Sequence, residues 1–348
     1  MKKRIILALV CSIQAVHSTQ EAVCCVPFID LNLMPTIRNK ITERFSQLLL
    51  NDPVIIEDAT AHRYKIKNSA MAYGAGKGIS NSYWVDKSAI QFVNEKSAIK
   101  RAFFIRPLFI PEIKTTVSTG TLLRIADESS ATYIGWMIDP ASKQYVSCAI
   151  EKKNCCIPYD DPGKQKQAFL QLIRYWAQQQ PEKIPYALGG STIISTINPH
   201  TQPHQKVYTK GLCLDDASSL CTGIDCAHLI YLASRISGVP LKTTNTIGLK
   251  KELIPFTKQD VLEAGDIALW KGHAVIITDP AQGLIAEANG YYGFVHEIPF
   301  SQAFAGIKTA NDLLSAYHTG KPITRLNRFG KSIELITDMK LYKLPYQR

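Results

Sequence analysis

Two residues of this chain have the types and settings that nucleophilic chemistry needs. Cys226 follows Gly223-Ile224-Asp225 and opens an apolar run, Ala227-His228-Leu229-Ile230-Tyr231-Leu232-Ala233, so a tight loop delivers a thiol to the first turn of a helix. Further on, Gly265-Asp266-Ile267-Ala268-Leu269-Trp270 and His273-Ala274-Val275-Ile276-Ile277-Thr278 predict a strand, a turn and a second strand that begins with a histidine. A thiol attacks as its thiolate, and a helix N-terminus and a neighbouring imidazole are the usual means of removing its proton. The pattern therefore points to a cysteine-nucleophile hydrolase, with Cys226 attacking and His273 moving the proton. A cysteine at a helix start is often buried filler, and a strand histidine is often only packed. Both features in this order, each beside polar residues in an apolar frame, favour catalysis.

An imidazole base needs an orienting group on its other nitrogen. Thr278-Asp279-Pro280-Ala281-Gln282-Gly283 is a strong turn signal, so Leu284-Ile285-Ala286-Glu287-Ala288-Asn289 is expected to return antiparallel beside the His273 strand. Alternation puts Glu287 and Asn289 on one face, each within a residue or two of His273, and turn geometry leaves both open as the third member. Asp225 is expected to cap the cysteine helix, a role compatible with holding a cationic group of a substrate. His228 is expected near the helix start, lining the cleft. Cys221, Cys226, His228 and His273 are all potential zinc ligands, but their spacing matches no familiar zinc knuckle. No metal or organic cofactor is expected.

These elements need a scaffold, and 348 residues at 46% hydrophobic composition suffice for two or three domains. The front of the chain looks β-rich. Pro27 to Leu31, Pro53 to Ile56, Tyr64 to Lys67 and Tyr83 to Val85 are strand-like, whereas residues 37–50 look helical. A second β-rich stretch, 102–158, carries short strands at Gly120 to Ile125, Tyr133 to Met137 and Tyr145 to Ser147, a spacing that suits small barrels. Tyr159-Asp160-Asp161-Pro162-Gly163 marks a boundary. Residues 165–179 then show helical periodicity, with Phe169, Leu170, Ile173 and Trp176 on one side.

The first residues, Met1-Lys2-Lys3-Arg4 and then Ile5-Ile6-Leu7-Ala8-Leu9-Val10, have the form of a signal peptide cleaved after Ser18. The apolar run is too short to span a bilayer, and no later segment resembles a transmembrane helix. Export as a soluble protein is expected. The net charge of +11 is scattered, and no nucleic-acid-binding motif accompanies it. An anionic envelope is one partner that suits such a charge. Nine cysteines fit an oxidising compartment. Cys213 and Cys221 could close a short loop ahead of Cys226, and the vicinal pairs Cys24-Cys25 and Cys155-Cys156 could staple the N-terminus to a later domain, although connectivity is not legible in sequence.

Taken together, Pro185-Tyr186-Ala187-Leu188-Gly189-Gly190, Asp225-Cys226-Ala227-His228-Leu229, Gly265-Asp266-Ile267 and His273-Ala274-Val275 resemble the motifs of NlpC-type (NlpC/p60) papain-like cell-wall peptidases. At the front, Val26 to Leu31, Gln47 to Val54 and Trp84 to Ser88 resemble the first bacterial SH3-like domain of the subgroup that recycles wall peptides. Residues 120–145 resemble its second. The resemblance implies an α+β chain with a signal peptide at 1–18, SH3-like barrels at 24–100 and 101–160, and a peptidase domain at 163–348. In that domain a Cys-bearing helix packs on an antiparallel sheet that bears the His.

The resemblance also implies roles. Cys226 would be nucleophile and His273 base, with Glu287 favoured over Asn289 as orienter, since a carboxylate orients imidazole well. Tyr186 would polarise the scissile carbonyl. Asp225 and Asp52 would hold the free amine of an N-terminal L-alanine, with His228 and Asn289 beside the substrate. The expected reaction is hydrolysis of the γ-D-Glu to diamino-acid bond in peptidoglycan stem peptides, through a thioester. This chain departs from the pattern at Ala227-His228 in place of Ser-Gly and at Leu188 in place of Trp. Glu287 stands where His is common, and Asn81 where a Tyr is usual. An amidase or acyltransferase on the same fold, and a catalytically idle wall-binding protein, are the alternative readings.

Overall fold

The computed structural model describes residues 20–33, 45–75, 78–93, 98, 100–179, 183–193 and 222–346. The expected signal peptide, Cys11, Cys213, Cys221 and residues 37–44 of the expected helix lie outside the described residues. The chain is a mixed α/β structure built on antiparallel sheets with few helices.

Two five-stranded antiparallel sheets come first. In the first, Gln20–Cys24 lies between Pro53–Ala59 and Ile90–Phe92, and Arg63–Lys67 and Ser82–Asp86 complete the order. In the second, Lys100–Phe104 lies between Leu122–Glu128 and Cys155–Cys156, followed outward by Thr132–Ile138 and Tyr145–Glu151. The helix expected to end at Leu50 is corrected. Ser46–Leu49 is a strand paired with Phe28–Leu31, and all four of its residues are buried. A short apolar run reads equally well as a buried helix segment or a buried strand, and here pairing decided.

The boundary at Tyr159 to Gly163 leads into the helix Pro162–Ala177, capped by Asp161, whose carboxylate accepts from the Lys164 amide at 2.8 Å. Phe169, Ile173 and Trp176 are buried as their spacing demands. This helix packs on the cysteine helix, Cys226–Ser237, and both lie against a six-stranded antiparallel sheet. The strand order of that sheet is Ile254–Pro255, Lys340–Lys343, Ile267–Trp270, His273–Asp279, Leu284–Asn289, Phe294–Pro299. The period-2 pattern divides its core. Ala274, Ile276, Ala286 and Ala288 pack with the helices. Val275, Ile277 and Ile285 pack on the opposite face with Phe300, Phe304 and Leu313.

The expected disulfides do not form among the described residues. Cys24, Cys25, Cys148, Cys155, Cys156 and Cys226 are all free thiols. The staple expected between Cys24-Cys25 and Cys155-Cys156 is absent, and strand alternation sends Cys24 to the core around the cysteine helix and Cys25 to the core of the second sheet. None of the described helices is long and apolar enough to cross a membrane.

Candidate active site

The turn before the helix sets the position of Cys226. Ala187 N–H donates to Ile224 O at 3.2 Å, Ile224 N–H to Pro185 O at 3.0 Å and Asp225 N–H to Gly190 O at 3.2 Å. The segment 185–190 and the loop leading to Cys226 are thus laced together. The glycines are needed for this contact. Gly189 and Gly223 have φ of 69° and 145°, and a Cβ on Gly190 would lie 2.5 Å from Gly223 O. Gly190→Ala is therefore expected to push this loop apart and displace Cys226. Slower alkylation of Cys226 by iodoacetamide, with a lowered Tm, is the result to look for.

Asp225 caps the helix as expected. Its Oδ1 accepts from His228 N–H at 2.8 Å and its Oδ2 from Gly189 N–H at 2.8 Å. One carboxylate thus fixes both the helix start and the Gly189-Gly190 turn. Tyr186 runs beside Ile224 through a parallel bridge, donates its backbone N–H to Gly293 O at 2.9 Å, and lays its ring against Gly290. Its bridge partner Ile224 is two residues before Cys226.

His273 opens its strand close enough to Cys226 for the two side chains to influence each other electrostatically. Its Nε2 lies 2.6 Å from Glu287 Oε2, which leaves Nδ1 as the ring nitrogen for the thiol. Of the two candidates for third member, Glu287 is the one that meets His273. Asn289 donates from Nδ2 to Glu287 Oε2 at 3.0 Å and accepts from Tyr291 N–H at 2.7 Å. Asn289, expected beside a substrate, is buried and supports the carboxylate from within the sheet.

Burial pushes the His273 imidazolium toward losing its proton. The Cys226 charge and the Glu287 carboxylate outweigh this and hold His273 up at about 10. Glu287 is fully buried, which alone would raise its pKa. The Arg325 guanidinium, then hydrogen bonds from His273 and His296, bring it well below the usual carboxylate range.

Two other expected site residues lie elsewhere. His228 is 1% exposed and does not line a cleft. Its Nε2 lies 2.9 Å from Ser46 Oγ and its Nδ1 2.9 Å from Asp225 Oδ1. Three residues past the cap, its side chain points to Ser46 and ties the helix to the front β region. Asp52 is 0% exposed and forms an ion pair with Arg235, near the far end of the cysteine helix. It also accepts from Leu49 N–H at 2.9 Å. A carboxylate already neutralised inside the interface has no face for a substrate amine. Its removal would strand the Arg235 cation, so Asp52→Ala is expected to cost about 3–5 kcal/mol of stability. Urea unfolding of the variant checks this, with Cys226 reactivity in the native protein unchanged.

Arg325 and His296 complete the cluster and were not legible as site residues. The sign in sequence was weak: each is a polar residue at an inward position of an alternating strand, Ile323-Thr324-Arg325-Leu326 and Phe294-Val295-His296-Glu297-Ile298. Gln47 was missed as well. It accepts from Ser191 N–H at 2.9 Å and from the Thr192 hydroxyl, which secures the short strand paired with Gly223–Ile224. Among the described residues, no three His, Cys, Asp or Glu side chains form a group suited to a metal ion.

The fold can be compared with known structures. No protein-family model and no curated protein matches the sequence. The chain is similar in fold to an NlpC/P60 family protein from Bacillus cereus, with a TM-score of 0.57 over 80% of this chain and 94% of that one, at 13% identity. NlpC2 from Trichomonas vaginalis aligns over 82% of this chain and 93% of its own, with a TM-score of 0.35 and 11% identity. The chain thus shares its overall fold with that NlpC/P60 family protein from Bacillus cereus.

Proposed function

We propose that this chain is a cysteine peptidase of peptidoglycan stem peptides. One arrangement carries the reading: a thiol at a helix N-terminus stands near an imidazole that a buried carboxylate holds through Nε2, Cys226–His273–Glu287. The NlpC/P60 fold and the wall-peptidase motifs direct that chemistry to wall peptides. The basic leader-like start and the net charge of +11 support action in the envelope of the cell. The two front β units serve as SH3-like domains flanking the peptidase.

The Cys226 thiolate adds to the scissile carbonyl carbon, and the carbonyl π pair moves onto oxygen. The positive end of the helix, with Tyr186 beside it, favours that oxyanion. As the intermediate collapses, His273 gives its proton to the leaving amine and a thioester remains. Water, deprotonated by His273, adds to the thioester and expels the thiolate. Glu287 keeps the ring oriented throughout. The bond cut is that between γ-D-Glu and the diamino acid. With Asp52 buried, recognition of a free N-terminal amine falls to Asp225 alone, whose oxygens already serve two amides.

Mass spectrometry of products from L-Ala-γ-D-Glu-diaminopimelate, its N-acetylated form and intact sacculi tests this reading, with Cys226→Ala as control. Cleavage of free tripeptide that is lost in Cys226→Ala supports it. Cleavage of the acetylated peptide as well means the amine is not required. No product from any of the three overturns it.

A further inference from the structure

We propose that Arg325 and His296 are positioning residues of this site. Together they fix one oxygen of Glu287, so that the other is presented to His273 as an anion. The proposal rests on the thiol–imidazole reading of Cys226 and His273, and its test is independent of any substrate.

The two oxygens of Glu287 have separate partners. Oε1 takes the Arg325 guanidinium and His296 Nε2, the latter at 3.0 Å. Oε2 takes His273 Nε2 at 2.6 Å and Asn289 Nδ2 at 3.0 Å. A carboxylate has about four acceptor positions, so these four donors saturate it. A saturated carboxylate can neither rotate nor take up a proton without breaking a bond to a buried donor.

Each supporting residue is itself held. His296 is directly opposite Glu287 in the antiparallel register, so the sheet sets their spacing. The Tyr292 ring packs on His296 with centroids 4.1 Å apart. Arg325 comes from the hairpin of Ile323–Leu326 and Ser332–Ile336, outside the main sheet. It donates from Nη1 to Ala303 O at 2.8 Å, and its guanidinium carbon lies 5.2 Å from the Phe304 ring centroid. At 1% exposure it is out of reach of a substrate.

The groups that face Glu287 and its histidine are Cys226 from the helix, His273 and His296 from neighbouring strands, Tyr292 from the connecting turn and Arg325 from the hairpin. Over Cys226, His273, Glu287 and Arg325, the charges of the reactive ion pair sum to zero. Without Arg325, the same pair would form in a buried site with net negative charge. Glu287 would then be protonated more readily, leaving His273 without its acceptor and the thiolate without its imidazolium.

The test follows alkylation of Cys226 by iodoacetamide against pH, with peptide mapping to separate it from the other thiols. In Arg325→Met the acid edge of Cys226 reactivity is expected to move up by about one pH unit, about tenfold slower alkylation on the acid side. Arg325→Lys should restore part of it, and His296→Leu should move it less in the same direction. In a Glu287→Gln background, Arg325→Met should add no further shift. Where peptide cleavage is measurable, kcat should fall with KM retained. An acid edge unmoved in folded Arg325→Met, or a further shift in the Glu287→Gln background, overturns the proposal. If Arg325→Met does not fold, an unmoved edge in His296→Leu overturns it instead. A shifted edge in a protein that cuts no wall peptide would keep this proposal and remove the peptidase reading.

Discussion

Cys226→Ala and His273→Ala are each expected to abolish peptide cleavage, with a loss of about 10^4-fold or more in kcat. The double variant should be no worse than either single one. Members of a nucleophile–base unit act together, so removing one removes the function of the other. Single-turnover kinetics on the free tripeptide checks this, with native thermal unfolding as the control for fold. Cys226→Ala has a second expected consequence. The Cys226 charge is the largest influence raising His273, so its removal should bring the imidazole down from about 10. An NMR titration of the His273 ring measures that shift with no substrate present.

The wild-type pH profile follows from the same pair. His273 must carry a proton for the leaving amine, so cleavage should decline as pH rises through about 10. The linked stability has the same sign. A histidine raised above its ordinary 6.5 contributes fully below that value, and its contribution disappears as pH rises through about 10.

Glu287→Ala is expected to lose about 3–5 kcal/mol of stability together with a large loss of activity. The cause is the Arg325 guanidinium, left buried and uncompensated, with the Nε2–H groups of two histidines deprived of their acceptor. Glu287→Gln should lose less stability, because a neutral amide oxygen still accepts. Urea unfolding at several pH values tests both. Glu287 lies well below its ordinary 4.5, so its contribution is present above that value and is lost as pH falls toward its native one. The stability gap between wild type and Glu287→Gln should therefore shrink on acidification. A constant gap would mean that Glu287 is not held as an anion.

Much of the candidate site was legible because local rules carry it. Cys226 follows a capping aspartate at a loop-to-helix junction, and the His273 strand is a continuous apolar run that ends in a turn with Pro280 and Gly283. Helix caps, turns and period-2 strands are set by residues near in sequence. Glu287 and Asn289 could be placed on one face for the same reason, but the turn did not choose between them. The register decided, since His296 and Arg325 leave Glu287 as the charged hub and Asn289 as its support.

The errors share a cause. Asp52, His228 and Leu48-Leu49 were placed by resemblance or local pattern, whereas their surroundings come from residues far along the chain. Asp52 is paired with Arg235, and His228 is turned onto Ser46. Whether a carboxylate faces a substrate or an arginine depends on which elements pack together, and a local pattern does not contain that information. The sequence alone determined the capped helix that opens with Cys226 and the strand that opens with His273, because each depends on neighbours a few residues away. Only the tertiary structure decided what holds the third residue charged, because Glu287, His296 and Arg325 meet through long-range packing of strands from separate hairpins.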